Sequence, residues 1–267
     1  IGVNGLRAIK RRQAVRCLPA SGALLLGWAL ALAAPDAMAQ LFTNIDLLLT
    51  RFPVGCQGVS RSGDGPKGIA SADFDGDGIP DLAFSNTDGS VNVYFGRGDG
   101  KFERAKCLPT GARELRGIVC ADFTGDGHPD IATASPRSGR VYLFSYQGAR
   151  SFSGTNWAAW AGVRNLVTGD FDTDGRVDLV VAGPNNGLRQ FRSLPGGGFA
   201  VVTNLTFLSW PNLETNEYRP VYSLKAFRPS GSVQDELVAT HASTNRMWIL
   251  AAGAGGALEI QVRSTNL

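Results

Sequence analysis

Three stretches of this chain carry nearly the same acidic loop. Ala72–Phe84 reads ADFDGDGIPDLAF, Ala121–Thr133 reads ADFTGDGHPDIAT, and Gly169–Gly183 reads GDFDTDGRVDLVVAG. The leading aspartates Asp73, Asp122 and Asp170 fall 49 and 48 residues apart. A fixed period of this size predicts stacked like units rather than one ordinary globular domain. Each loop is entered by a short apolar strand (GIASADF, GIVCADF, NLVTGDF) and left by another (DLAFS, DIATAS, DLVVAG). A turn follows at Asp88-Gly89, Ser138-Gly139 or Asn185-Asn186-Gly187. Then come a third strand, a Gly-rich turn and a phenylalanine (Phe102, Phe152, Phe199), and a less regular fourth strand. Short strands joined by hairpin-type turns predict a four-stranded antiparallel unit. One such sheet cannot bury both faces alone, whereas copies stacked radially can. The expected fold is all-β, a β-propeller.

A fourth copy, from Lys225, keeps the apolar pattern and loses the charge. Aligning Phe227 with Phe171 sets Ala226, Arg228 and Ser230 where the earlier aspartates stood, so the degenerate repeat runs near 226–236. A further strand at 45–54 precedes the first repeat, and EIQVRS near 259–264 supplies the last repeat with its own fourth strand. About four blades are therefore visible, and the expectation is an arc of a larger ring.

Four carboxylates within nine positions repel one another unless a cation sits among them. The loop reads D-x-D-x-D-G-x-x-D. Side chains at positions 1, 3 and 5 aim inward, Gly at 6 permits the bend, a carbonyl at 7 adds an oxygen, and the acid at 9 closes the shell. Hard oxygen donors in that number suit calcium. The expected ligands are Asp73, Asp75, Asp77, the Ile79 carbonyl and Asp81 in loop 73–81. In loop 122–130 they are Asp122, Thr124, Asp126, the His128 carbonyl and Asp130. In loop 170–178 they are Asp170, Asp172, Asp174, the Arg176 carbonyl and Asp178. That makes up to three calcium ions, with the second loop weakest because Thr124 replaces a carboxylate. An EF-hand is rejected: its bidentate acid at position 12 is replaced by Phe84, Thr133 and Val181, and the flanks are β-prone.

The pattern resembles the FG-GAP/VCBS repeat family, the calcium-loop blades of integrin α-subunit propellers and of many bacterial secreted proteins. The match runs well over 68–188 and continues in degraded form. Tyr94-Phe95-Gly96 approximates the first element of the family name, and Ala182-Gly183-Pro184 the second. The resemblance implies a propeller, seven-bladed by the family's habit, with calcium in the loops. It implies no single activity.

The start of the chain reads as a secretory signal. Arg7, Lys10, Arg11, Arg12 and Arg16 precede the apolar run 23–34, and Ala37-Met38-Ala39 is an A-x-A cleavage signature. The expected division is a signal peptide at 1–39, cleaved after Ala39, and blades over 40–267, with the product secreted or periplasmic and no membrane span left after cleavage. The chain has 26 Lys+Arg and 23 Asp+Glu. Residues 1–39 take five of the first and one of the second, leaving 21 and 22. Half of those 22 acids lie in the three loops. With no basic run to track phosphates, nucleic acid is excluded as a partner. Beyond 39 the cysteines are Cys56, Cys107 and Cys120. Cys120 reads as a small buried residue, and a Cys56–Cys107 bridge is open.

Two functional classes remain. The first is a binding module for a protein or glycan at a propeller face, with calcium structural; a domain of a longer adhesin shares this chemistry. Trp157, Trp160, Trp210 and Tyr218 are its candidate contacts, against the simpler role of filling space between blades. The second is an extracellular enzyme such as a polysaccharide lyase or phospholipase. Only His128 and His241 offer acid–base chemistry by imidazole, and neither has an evident partner.

Overall fold

The computed structural model describes residues 65–103, 105–183, 187–202, 223–241, 246–253 and 255–264. The expected signal peptide, the strand at 45–54, Cys56, Trp210 and Tyr218 lie outside them. Among the described residues, sixteen strands form four antiparallel sheets, each meandering in chain order. The first holds β1 (Pro66–Ala72), β2 (Asp81–Asn86), β3 (Ser90–Tyr94) and β4 (Lys106–Pro109). The second holds β5 (Arg116–Ala121), β6 (Asp130–Ser135), β7 (Arg140–Tyr146) and β8 (Phe152–Ala158). The third holds β9 (Asn165–Gly169), β10 (Asp178–Ala182), β11 (Leu188–Ser193) and β12 (Phe199–Val201). The fourth holds β13 (Ser223–Phe227), β14 (Glu236–His241), β15 (Arg246–Ala252) and β16 (Leu258–Ser264). No helix occurs among the described residues.

The leading strands adjoin in series, β1 with β5, β5 with β9 and β9 with β13. Those strands are the hubs, and the sheets radiate from them as blades of a propeller-type fold. The series is open among the described residues.

The core lies between blades rather than within them. One cluster joins the first and second sheets through Phe74, Val91, Val93, Ile131, Phe144 and Tyr146. A second joins the next pair through Phe123, Val141, Leu143, Leu179, Val181 and Phe191. A third joins the last pair through Phe171, Val180, Leu237, Trp248, Leu250 and Leu258. Strand alternation produces this: in β7, Val141 and Leu143 face one interface while Tyr142 and Phe144 face the other. In β10, Leu179 and Val181 face back while Val180 and Ala182 face forward. A strand buried on both faces reads as a continuous apolar run, hence DLVVA.

The register corrects the alignment of the fourth repeat. Asp81, Asp130 and Asp178 pair with Ala72, Ala121 and Gly169, and Glu236 pairs with Phe227. Phe227 therefore stands where Gly169 stands, two positions earlier than sequence similarity suggests. Arg228 takes the place of Asp170, and Glu236 that of Asp178. The hairpin register, fixed by burial of Leu237 and Ala239, overrides the lone aromatic match.

Candidate metal centre

Each acidic loop joins the hub strand of a blade to its second strand, so the three loops share one side of the molecule. The second loop residue is the anchor. Phe74, Phe123 and Phe171 are fully buried. Phe74 meets Phe152 edge-on at 5.8 Å, and Phe123 meets Phe199 at 5.3 Å. In each case the partner opens the fourth strand of the following blade. Leu258, at the start of β16, belongs to the cluster around Phe171. These contacts hold each loop against its neighbour.

The first aspartate organises the loop backbone. Asp73 accepts from the amides of Gly76 (2.8 Å), Asp77 (3.2 Å) and Gly78 (2.8 Å). Asp122 repeats this with Gly125 (2.6 Å), Asp126 (3.2 Å) and Gly127 (2.8 Å). Asp170 accepts from Gly175 at 3.2 Å. The fifth-position acids each take the amide two residues on: Ile79 to Asp77 at 2.8 Å, His128 to Asp126 at 2.9 Å, and Arg176 to Asp174 at 2.9 Å.

The ninth-position acids are almost wholly buried. Asp81 accepts from Phe74 N at 2.9 Å and from Gly96 N, beyond β3, at 2.7 Å. Asp130 accepts from Phe123 N (3.0 Å), Thr124 N (3.1 Å) and Tyr146 N (3.0 Å). Asp178 accepts from Ser193 N at 3.0 Å and is approached by Gln190 Nε2 at 3.5 Å. In each blade this carboxylate ties the second strand to the end of the third, and in the first two also to the loop. Burial pushes all three carboxyls up, Asp130 to about 6 and Asp178 to about 7, although their amide donors pull the other way. Sequence reading missed this bracing role; the signal was an acid directly before a fully apolar strand.

Convergence differs among the loops. Carboxylate oxygens of Asp73, Asp75 and Asp81 lie within 4.8 Å of one another, as do those of Asp170, Asp172 and Asp174. Asp77 and Asp178 fall outside these groups. Among the described residues the second loop forms no such triad, in line with Thr124 at its third position. Asp75 Oδ1 and Asp170 Oδ1 are buried without a hydrogen-bond partner. A buried carboxylate oxygen without a donor is costly, and a cation relieves that cost. The triads of loops 73–81 and 170–178 thus fit a hard divalent ion.

Arginines supply part of the counter-charge. Arg150, from the β7–β8 turn, reaches Asp75 at 2.6 Å and Glu103 at 2.6 Å, with Asp77 at 3.8 Å. Its guanidinium lies 4.6 Å from the centre of the Phe95 ring. In the third loop Arg192 stands 3.3 Å from Asp172, and Arg176 pairs with Asp174. The fourth blade docks on this loop: Asp235 accepts from Asp170 N at 2.9 Å, and Gln234 donates to the Phe171 carbonyl at 2.9 Å.

The remaining candidates are placed as follows. His128 stacks on Tyr146 at 5.0 Å. Trp157 packs edge-on against Phe199 at 5.0 Å, and Trp160 lies under Arg189 at 5.1 Å, so both serve the inter-blade packing. Cys120 is a free thiol that burial pushes up to about 12. Cys107 is disulfide-bonded.

Open radial blades with acidic loops at the ends of their hub strands define a propeller-type repeat protein. Residues 73–133 and 122–181 match the FG-GAP-like repeat, so this part of the chain is built of FG-GAP-like repeats. A crystal structure of a protein from Lactobacillus plantarum is similar with a TM-score of 0.55 at 17% identity, over 75% of this chain and 57% of that one. The Vibrio cholerae biofilm matrix protein Bap1 is similar with a TM-score of 0.45 at 19% identity, over 75% of this chain and 28% of that one. The chain thus spans about half the length of the first and less than a third of the second. No curated protein matches. No helix among the described residues is long and apolar enough to cross a membrane.

Proposed function

We propose that the chain is an exported interaction module in which calcium is structural and a propeller face receives a protein or glycan. The observation that carries the calcium reading is the pair of buried, unpartnered carboxylate oxygens, Asp75 Oδ1 and Asp170 Oδ1, each within an acidic triad. The ion neutralises the triad, and the ninth-position acid braces the blade beneath it; in the first loop Asp81 serves both. Loops 73–81 and 170–178 take the tighter ions and loop 122–130 the weakest. The ligand shell is the one predicted from the loop pattern, including the carbonyls of Ile79, His128 and Arg176. Extracellular modules hold calcium at about 0.1–1 mM, and an ion that binds only the folded chain raises its stability by mass action. Export rests on the basic, apolar and A-x-A order of residues 1–39.

The test is a calorimetric calcium titration of the chelator-stripped protein, with melting followed in parallel. Uptake of two or three ions with a rise in melting temperature is expected. A folded protein that takes up none refutes the calcium reading. Amino-terminal sequencing of exported protein tests cleavage after Ala39.

A further inference from the structure

The opposite ends of the hub strands carry a different chemistry. A cavity of about 360 Å³ opens there between β1, β5, β9 and β13. Lys67, Arg116 and Arg164 stand around it, one from each of three consecutive blades. The repeat places them: K-G-I, R-G-I and R-N-L occupy equivalent positions just ahead of each acidic loop.

Close hub packing gathers these cations. A Cβ on Gly117 would meet Leu166 Cδ1 at 2.6 Å and the Arg164 carbonyl at 2.7 Å, and one on Gly68 would meet Ile118 Cγ2 at 3.1 Å. Gly117 also has φ of 65°, which other residues adopt at a cost. The pairing slips at this point in both strands, between Pro66 and Gly68 and between Arg116 and Ile118. Such bulges re-aim side chains at the end of a sheet.

The charges are only partly cancelled locally. Glu114 pairs with Arg116 at 2.8 Å and with Arg137 at 2.8 Å, which neutralises one cation of this side. Asp88, in the β2–β3 turn, accepts from Ser90. Lys67 and Arg164 are exposed and have no acidic partner among the described residues. The rest of the lining is mixed. Asn165 and Ser223 are polar, and Ile118, Leu166 and Leu224 supply an aliphatic floor.

We propose that this cavity binds an acidic sugar residue of a polysaccharide, its carboxylate or sulfate held by Lys67 and Arg164. This inference rests on the reading of the chain as an interaction module and names the ligand class for one of its faces. An acidic sugar presents what the lining asks for: one anionic group, hydroxyls for Asn165 and Ser223, and a C–H face for the aliphatic floor. The volume lies at the small end of ligand cavities, about 300–1,000 Å³. Two uncompensated cations beside a recess suit one discrete anion, whereas a phosphate backbone needs an extended basic track.

The test uses the full chain in saturating calcium. Oligogalacturonate, a sulfated oligosaccharide and a neutral oligosaccharide of equal length are titrated at low salt. Binding of either acidic sugar, weakened by salt and absent for the neutral one, is expected. Arg164→Glu and Lys67→Glu each weaken it by about tenfold or more, with melting unchanged because both side chains are exposed. Which acidic sugar binds distinguishes carboxylate from sulfate. Failure of both, or binding indifferent to the two reversals, overturns the proposal. So does equal binding of a single-stranded DNA oligomer. Calcium uptake measured on the same sample separates the two readings: a protein that loads calcium yet ignores acidic sugars loses this cavity's assignment and keeps its calcium loops.

Discussion

Arg150 offers the sharpest test of how the loops manage their charge. It sits at the tip of the second blade's outer hairpin and reaches the first blade's acidic loop. Its guanidinium meets Asp75, which is buried to 10% exposure, and Glu103, which is 49% exposed. The Glu103 contact is screened by solvent and contributes at most about 1 kcal/mol. The Asp75 contact is a charge-assisted hydrogen bond to a buried carboxylate whose other oxygen has no donor. Such a bond contributes about 1.5–3 kcal/mol, reduced here because Arg150 itself is about one-third exposed. Arg150→Gln should therefore cost the calcium-free protein about 2 kcal/mol. For a chain of this size that is roughly 4–8 °C in melting temperature. With calcium bound, the ion carries the compensating charge and a repelling neighbour has been removed, so the loss should shrink to about half or less. The calcium-induced rise in melting temperature should thus be larger in Arg150→Gln than in the parent, and calcium affinity at this loop higher. Scanning calorimetry of both proteins with calcium and with chelator measures all four states. An equal loss in the two conditions would show that Arg150 is only a latch between blades and has no part in charge compensation.

Other outcomes follow from the same geometry. Asp130→Ala removes the acceptor for three amides, two of them buried, and should cost about 2–4 kcal/mol in chemical denaturation, with or without calcium. In chelator, stability should fall as pH rises from about 4 to 7 and level off above that. The folded-state values of Asp130 and Asp178, about 6 and about 7, lie above the ordinary 3.8, so their contribution is complete below that value and lost as they ionise. Each pH unit within that window weighs up to about 1.4 kcal/mol per group, and a flat profile by thermal melting would show that burial does not raise these two carboxyls. Asp126→Ala should lower the calcium-loaded melting temperature less than Asp75→Ala, because only the latter breaks an acidic triad. Gly117→Ala should cost about 2–4 kcal/mol through overpacking and backbone strain; a neutral result in urea melts would mean the hubs are looser than the contacts indicate.

Much of the blade was legible in the sequence because its signals are local. The acid-glycine loops, the turns at Asp88-Gly89 and Ser138-Gly139 and the alternating strands all lie within a few residues of their effects. The four-stranded meander and the position of every described acidic loop follow from them. What escaped was set between blades. The reach of Arg150 to Asp75 spans 75 residues, and the docking of Asp235 on Asp170 spans 65. The ninth acid read only as a ligand, yet its oxygens also accept from amides at the far end of the third strand, while Asp81 still belongs to the triad of its loop. The fourth repeat misled for a related reason: with Arg228, Ser230 and Ser232 in place of its first three acids, Phe227 was the marker used. Burial of Leu237 and Ala239 set the frame instead.

The alternation within β6, β7 and β10 also bears on how such a chain can change over generations. Each of these strands deals its side chains in turn to the interface behind and the interface ahead. Inserting or deleting one residue exchanges the two hands and spoils both seams at once. A change of two keeps the hands but shifts the acid at the strand's start away from the amides it braces. The turns between strands absorb small changes of length, as the spacings of 49 and 48 residues show, so the constraint falls on the strands themselves. Copying or losing an entire blade leaves this alternation intact, and a decayed member such as the fourth can lose the acids of its first, third and fifth loop positions, keep Glu236 at the ninth, and stay docked on the third blade through Leu237 and Ala239.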